Sequence, residues 1–317
     1  IERTTPAEGS PRIAVLHAGG LAPGMNTAAR AAVRLGISRG FTMLGVRNGY
    51  SGLHKGEISE LSWRDVEGLT GEAGAFLGTR RTIPSVDMLY QINRNLEEHK
   101  VDALLVIGGF NAYEGAYLIH EERERYPAFS IPIVCIPASI DNNLPGSQLS
   151  IGADSALNTI TEAIDKIKMS GSVAKRCFIV ETMGRYCGYL AMMSGLAGGA
   201  ERVWTHEEGI SFDSLHADVH WLHDEFATGR RLFLGIRNEN ANEYFTTDFI
   251  TSLLEEAGGD EYDVRQAILG HVQQGAVPSP FDRLLATRLV SRGLRIITEE
   301  LDSDTGGSWY VGLMGPN

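Results

Sequence analysis

Apolar residues in this chain come as short unbroken runs, separated by glycine-rich turns and by longer stretches of helical spacing. After the polar, turn-rich residues 1–11, Arg12 to His17 turns abruptly apolar and β-branched, which predicts a linker feeding a buried strand. The loop Ala18-Gly19-Gly20-Leu21-Ala22-Pro23-Gly24-Met25-Asn26 follows, then an Ala-rich helix from Thr27 to Arg39 closed by Gly40. A second strand is predicted at Thr42 to Val46 and a turn at Asn48-Gly49-Tyr50, completing a βαβ unit. The order then repeats, with a helix over Asp87 to His99, a strand over Ala103 to Ile107 leaving through Gly108-Gly109, and a helix over Tyr113 to Tyr126. A strand over Ile131 to Ile136 ends in Pro137-Ala138-Ser139-Ile140-Asp141-Asn142-Asn143. Doubly wound sheets bind ligands at the carboxyl ends of their strands, so the three loops are expected to meet at one crevice.

Beyond Gly152 the same grammar continues. Ala153 to Lys168 reads as a helix, Cys177 to Val180 as a strand and Gly184 to Leu196 as a glycine-punctuated helix. Leu232 to Gly235 reads as a strand, Thr246 to Glu256 as a helix and Val264 to Gly270 as a strand, which makes a second βα lobe.

Length and charge narrow the classes. The 317 residues are enough for two lobes. With 28 Lys+Arg against 40 Asp+Glu the formal charge is −12, which works against nucleic acid or an anionic membrane as the general partner. No apolar run has the length of a membrane span, and the N-terminus lacks the apolar core of a signal peptide. Cys135, Cys177 and Cys187 are too few and scattered for a disulfide framework or a zinc site, so a cytoplasmic setting is expected. Ile1 is not an initiator Met, and a piece of a longer chain is expected.

Basic residues then stand out against the acidic whole: Arg80-Arg81, Lys175-Arg176, Arg185 and Arg265 lie near strand ends. Guanidinium grips phosphate through paired hydrogen bonds, and a glycine loop before a helix lets a phosphate approach free backbone N–H groups. Any one of these arginines alone reads as a solvated surface residue. His216, His220 and His223 are spaced along one helix face and also read as solvated, with no metal site expected. Trp63, Trp204, Trp221 and Trp309 show no cage-like grouping.

Six motifs, in order from about Arg12 to about Glu300, carry a specific resemblance. They are Gly19-Gly20-x-Ala22-Pro23-Gly24-Met25-Asn26, Phe76-Leu77-Gly78-Thr79, Ser139-Ile140-Asp141-Asn142, Met183-Gly184-Arg185-Tyr186-Cys187-Gly188, Gly270-His271-Val272-Gln273-Gln274-Gly275 and Pro280-Phe281-Asp282-Arg283. Together they resemble the 6-phosphofructokinase family. Arg237-Asn238-Glu239 with Tyr244-Phe245-Thr246-Thr247-Asp248-Phe249-Ile250 is most similar to the C-terminal, regulatory half of the long duplicated eukaryotic enzymes.

The resemblance implies an α/β fold of two doubly wound, mostly parallel βα lobes with the sugar-phosphate site in the cleft between them. Residues 12–145 and 276–300 are assigned to the lobe with the nucleotide side, and 146–275 and 301–317 to the sugar-phosphate lobe. It implies transfer of the γ-phosphoryl of ATP to fructose 6-phosphate, with Asp141 as base and Arg185 as a second catalytic-type residue. It gives Ser139, Arg176, Met183, Gly184, Glu239, Arg265 and His271 as substrate or effector contacts, with Arg176 and Arg265 reaching a neighbouring subunit.

The nucleotide side departs from the family. Its residues are Gly20, Arg81, Gly109, Phe110 and Asn143, where Phe110 and Asn143 replace carboxylates, as Leu21 does, and Gln274 replaces an arginine. Mg²⁺ and ATP, the family's cofactors, are therefore not expected to bind strongly, since hard Mg²⁺ prefers oxyanions and water. Pro137-Ala138-Ser139 disfavours a pyrophosphate donor.

Three readings follow. The first is a half that binds a phosphorylated fructose as effector without turnover of its own. The second is an active phosphofructokinase using Asp141, and the third a structural subunit with a vestigial pocket. A homo-oligomer, tetrameric by resemblance, or a companion catalytic half is the expected partner.

Overall fold

The unbroken apolar runs have a simple cause in the pairing of the strands. Parallel strands covered on both faces have no polar side to present. In the computed structural model, which describes residues 7, 9–171, 175–303 and 306–314, the chain runs through ten strands and nine α-helices among those residues. In chain order the first part is β1 Arg12–Ala18, α1 Met25–Ser38, β2 Thr42–Val46, α2 Gly49–Lys55, β3 Ile58–Glu60, α3 Val86–Glu98, β4 Ala103–Gly108, α4 Phe110–Glu121 and β5 Ile133–Pro137. Next come α5 Ala153–Ser170, β6 Arg176–Thr182, α6 Tyr189–Gly198, β7 Arg202–Trp204, α7 Phe212–Ala227, β8 Leu232–Asn238, α8 Thr247–Gly258 and β9 Asp263–Ile268. The chain finishes with α9 Pro280–Ser303 and β10 Ser308–Tyr310.

Two units result. The first comprises Ile1–Ser139, Leu144–Asp154 and Val277–Asn317, and the second Ile140–Asn143 and Ser155–Ala276. The first holds a six-stranded sheet of order β10-β5-β4-β1-β2-β3, parallel except for β3. Ala14, Leu16, Leu104, Val106 and Ile133 form the centre of its core, packed with Leu89, Ile92 and Leu96 of α3. The second holds a four-stranded parallel sheet, β7-β8-β6-β9, whose core gathers Cys177, Ile179, Phe233 and Val264 with Leu222 and Phe226 of α7. No helix among the described residues is long and apolar enough to cross a membrane.

Several boundaries differ from the sequence reading. The tail assigned to the sugar-phosphate lobe, 301–317, instead contributes β10 to the first sheet, where Trp309 lies opposite Val134 of β5. Leu144–Asp154, assigned in part to that lobe, also belongs to the first unit. Asn48-Gly49-Tyr50 opens α2 rather than a simple turn, with Asn48 at φ 57 as its left-handed N-cap. The helix expected from Gly184 starts only at Tyr189, because Gly184 takes φ +128. The linker over residues 1–11 lies mostly outside the described residues.

Candidate functional site

In the first unit the three predicted loops do converge. Gly19, just past β1 at φ +100, donates its N–H to the Arg80 carbonyl at 2.8 Å, and Thr79 Oγ1 donates to the Gly19 carbonyl at 2.9 Å. A Cβ on Gly19 would stand 3.4 Å from the Gly109 nitrogen, and one on Gly109 would meet Ser139 Cβ at 3.6 Å. The ends of β1, β4 and β5 therefore lie side by side, with the Thr79-Arg80 segment bound to the first. Asn26 Oδ1 accepts the Phe76 N–H at 2.6 Å, while its Nδ2 donates to the Ala73 carbonyl at 3.1 Å, so the Pro23-Gly24-Met25-Asn26 motif fixes the 73–76 segment to the start of α1. Gly20 is half-buried and Arg81 exposed at this edge. Phe110 is the first residue of α4 and is 52% exposed. Ser139 is held by its backbone, its N–H donating to Ile151 and its carbonyl accepting Ser150 Oγ at 2.6 Å.

The second unit places a different constellation at the carboxyl end of its sheet. Thr182 of β6 lies opposite Asn238 of β8, and Glu181 opposite Ile268 of β9, so the Met183, Glu239 and Gly270 loops leave the sheet together. Glu239 accepts the Gly184 N–H at 3.1 Å, and Met183 donates its N–H to Gln273 Oε1 at 3.1 Å. Gln273 is fully buried and donates in turn to the Gly270 carbonyl at 2.8 Å, next to the exposed His271. Asn238 Nδ2 donates to the Gly184 and Cys187 carbonyls at 2.6 and 3.1 Å. A side chain at Gly184 would collide with the Cys187 carbonyl at 2.4 Å, so only glycine closes this loop. Burial pushes the Glu239 carboxyl above its ordinary range. The Gly184 N–H works against that shift, and the neighbouring Asp141 charge adds to it. Arg185, exposed over the Tyr186 ring, acts to keep Glu239 charged. Asn142 beside Asp141 sits at φ 53, and Asn143 follows half-buried.

A buried arginine holds the Glu239 loop. Arg237, 2% exposed, pairs with Glu181 at 2.9 Å and donates to the carbonyls of Glu239 at 3.1 Å, Asn242 at 2.8 Å and Phe245 at 3.2 Å. Glu181 also accepts the Thr247 hydroxyl at the start of α8.

Arg176 and Arg265 stand elsewhere. Arg176 begins β6, six residues and about 20 Å of strand before Thr182, and donates to the Ser170 carbonyl at 3.2 Å. Arg265 lies on the edge strand β9 near Glu255 and Asp263, with its side chain 52% exposed.

The match to a protein-family model settles the ancestry of this arrangement: the phosphofructokinase model covers residues 12–297. The chain belongs to the phosphofructokinase family. It is 46% identical over 295 residues to the human ATP-dependent 6-phosphofructokinase of platelet type, a span of 93% of this chain and 38% of that protein. Solved structures agree. Phosphofructokinase from Saccharomyces cerevisiae superposes with a TM-score of 0.91 at 34% identity, over 96% of this chain and 42% of that one. That from Pichia pastoris in the T-state gives 0.90 at 35% identity, over 95% and 35%. This phosphofructokinase chain thus spans about two fifths of the length of the curated relatives it matches. The sequence reading had assigned no structural role to Arg237 or Gln273. A lone arginine inside the apolar run Leu232–Asn238 was the available signal, because a charge there must be paired.

Proposed function

We propose that this chain is the regulatory half of a longer glycolytic 6-phosphofructokinase and binds a phosphorylated fructose at the carboxyl end of its second sheet without turnover of its own. The observation that carries this reading is the contrast between two sets of residues. Asp141, Met183, Gly184, Glu239 and His271 are kept, and Arg237, Asn238 and Gln273 brace the Met183–Gly184 and Glu239 loops and the turn before His271. The first unit instead puts an aromatic ring at the head of α4 and Leu21 in the first loop. Neither supplies an oxygen to hard Mg²⁺, so the family's metal does not fit these residues.

Titration of the chain with fructose 6-phosphate, fructose 1,6-bisphosphate and fructose 2,6-bisphosphate tests the reading, alongside a thermal-shift series with Mg-ATP. Stabilisation by a fructose phosphate and none by Mg-ATP is the expected outcome. Strong stabilisation by Mg-ATP alone would overturn it.

Retention of Asp141 beside Glu239 favours a second reading, an active transferase with Asp141 as base. An isotope-labelled ATP assay on the chain and its Asp141→Asn variant separates the two. Turnover lost in a folded, sugar-binding variant makes the chain an enzyme. For the regulatory reading, Asp141→Asn holds or raises affinity for a fructose bisphosphate, since one negative charge facing the second phosphate is gone.

Arg176 and Arg265 lie too far along the sheet to serve the Glu239 loop of their own chain, and both suit a neighbouring copy or a companion catalytic half. Replacing either by Ala is expected to weaken phosphosugar binding by about 2 kcal/mol, the loss of one charge-assisted partner. Calorimetry on the assembled protein checks this, and unchanged affinity in both variants refutes the shared site.

A further inference from the structure

On the solvent face of α7, His216 and His220 stand one helical turn apart, both exposed, with their Nε2 atoms 3.2 Å from each other. A spacing of four residues places both side chains on the same side of the helix. Their rings meet edge-on at 78° with centroids 4.5 Å apart, and Phe212, one turn earlier, lies over His216 at 6.4 Å and 21°. We propose that His216 and His220 form a bidentate binding site for a borderline first-row transition cation, Cu²⁺ or Zn²⁺.

The distances carry the assignment. A cation bound to two imidazole nitrogens at about 2.0 to 2.1 Å, with an angle between square and tetrahedral, holds those nitrogens roughly 2.9 to 3.3 Å apart. The pair already has that separation. In the metal-free chain the same approach accommodates an N–H···N hydrogen bond between neutral rings of opposite tautomer, and a cation replaces the shared proton. Exposed Asp213 and Asp224, three residues before His216 and four after His220, bring negative charge to the same stripe in a chain of net charge −12. His223 is next along the helix, but its Nδ1 faces Glu261 Oε2 at 3.1 Å. Among the described residues no group of three ligands is assembled, so the remaining coordination positions fall to water or a solute. Such an open chelate takes Cu²⁺ ahead of Zn²⁺. None of these side chains belongs to the phosphosugar constellation, so the site stands independently of that function.

Calorimetric titration of the chain with CuCl₂ and with ZnCl₂ at neutral pH tests the proposal. One cation per chain is expected, bound more tightly for Cu²⁺. His216→Gln and His220→Gln should each weaken it on the order of 10²-fold or more, because the second ligand no longer binds intramolecularly. His223→Gln should leave it unchanged. The paramagnetic resonance spectrum of the Cu²⁺ form should show two imidazole nitrogens. All three positions are exposed, and circular dichroism verifies that the variants fold. Undiminished affinity in both His216→Gln and His220→Gln overturns the proposal, as does a comparable loss in His223→Gln.

Discussion

Arg237→Met should destabilise the second unit by about 3 to 5 kcal/mol, the cost of leaving one partner of a buried ion pair alone. Glu181 would remain largely buried without its guanidinium, and the carbonyls of Glu239, Asn242 and Phe245 would lose their shared donor. Burial itself acts against the charge on Arg237, pulling it below the ordinary guanidinium range, and Glu181 offsets this. On the proposed function, phosphosugar affinity should fall as well, because Glu239 sits at the near end of the loop that Arg237 holds. Arg237→Lys should retain the ion pair but not the fork of donors, giving a smaller stability loss and a marked affinity loss. Removing both charges, as in Arg237→Met with Glu181→Leu, should recover part of the stability, since no orphan charge remains. Urea denaturation followed by the fluorescence of Trp204 and Trp221 measures all three. A loss below about 1 kcal/mol in Arg237→Met would place the network among solvated surface pairs.

Acidification should destabilise the first unit through His17. This residue on β1 is fully buried. Burial lowers its pKa to about 4, and a hydrogen bond to the Met25 backbone acts in the opposite direction without cancelling it. In the unfolded chain the same imidazole titrates near 6.5. Above that value both states are neutral at this residue and stability is unaffected. Between roughly pH 6.5 and 4 the unfolded chain binds a proton that the folded chain refuses, so stability falls with falling pH and levels off below about 4. A gap of this size corresponds to about 3 kcal/mol. His17→Leu should flatten the profile over that window, read as the difference in unfolding free energy between pH 7 and pH 4.5. An identical pH dependence in the variant would exclude His17 as the acid-sensitive group.

Much of the architecture was legible because parallel strands announce themselves as apolar runs, and Thr42–Val46 appears with the predicted bounds. Elements lacking such a run escaped notice. β3 and β10 are three-residue edge strands with mostly exposed side chains. The start of α2 was hidden because Asn-Gly reads as a turn, and here a left-handed Asn48 turns the chain directly into a helix. Site legibility followed the same physics. Gly184 and Glu239 were recognisable from motifs, and the structure joins them by one hydrogen bond. The bracing by Arg237 was not legible, since its ion-pair partner Glu181 lies 56 residues away in the sequence. Separation of Arg176 and Arg265 from Glu239 became visible only when β6 and β9 were laid out in register.

The threading of the first unit has a consequence for how the protein is made. Its central strands are synthesised early, yet α9 and β10 arrive only after the whole of Ser155–Ala276. Leu105, Val134 and Ile136, which lie within reach of Gly293 on α9, must wait for that delivery. The second unit, nearly continuous in sequence, can consolidate on a ribosome while its elder neighbour stays uncapped along one flank. Closing that flank requires a contact spanning more than half the chain, a slow step by loop-closure entropy. During that interval the nascent apolar sheet is the surface on which chaperones and aggregation compete.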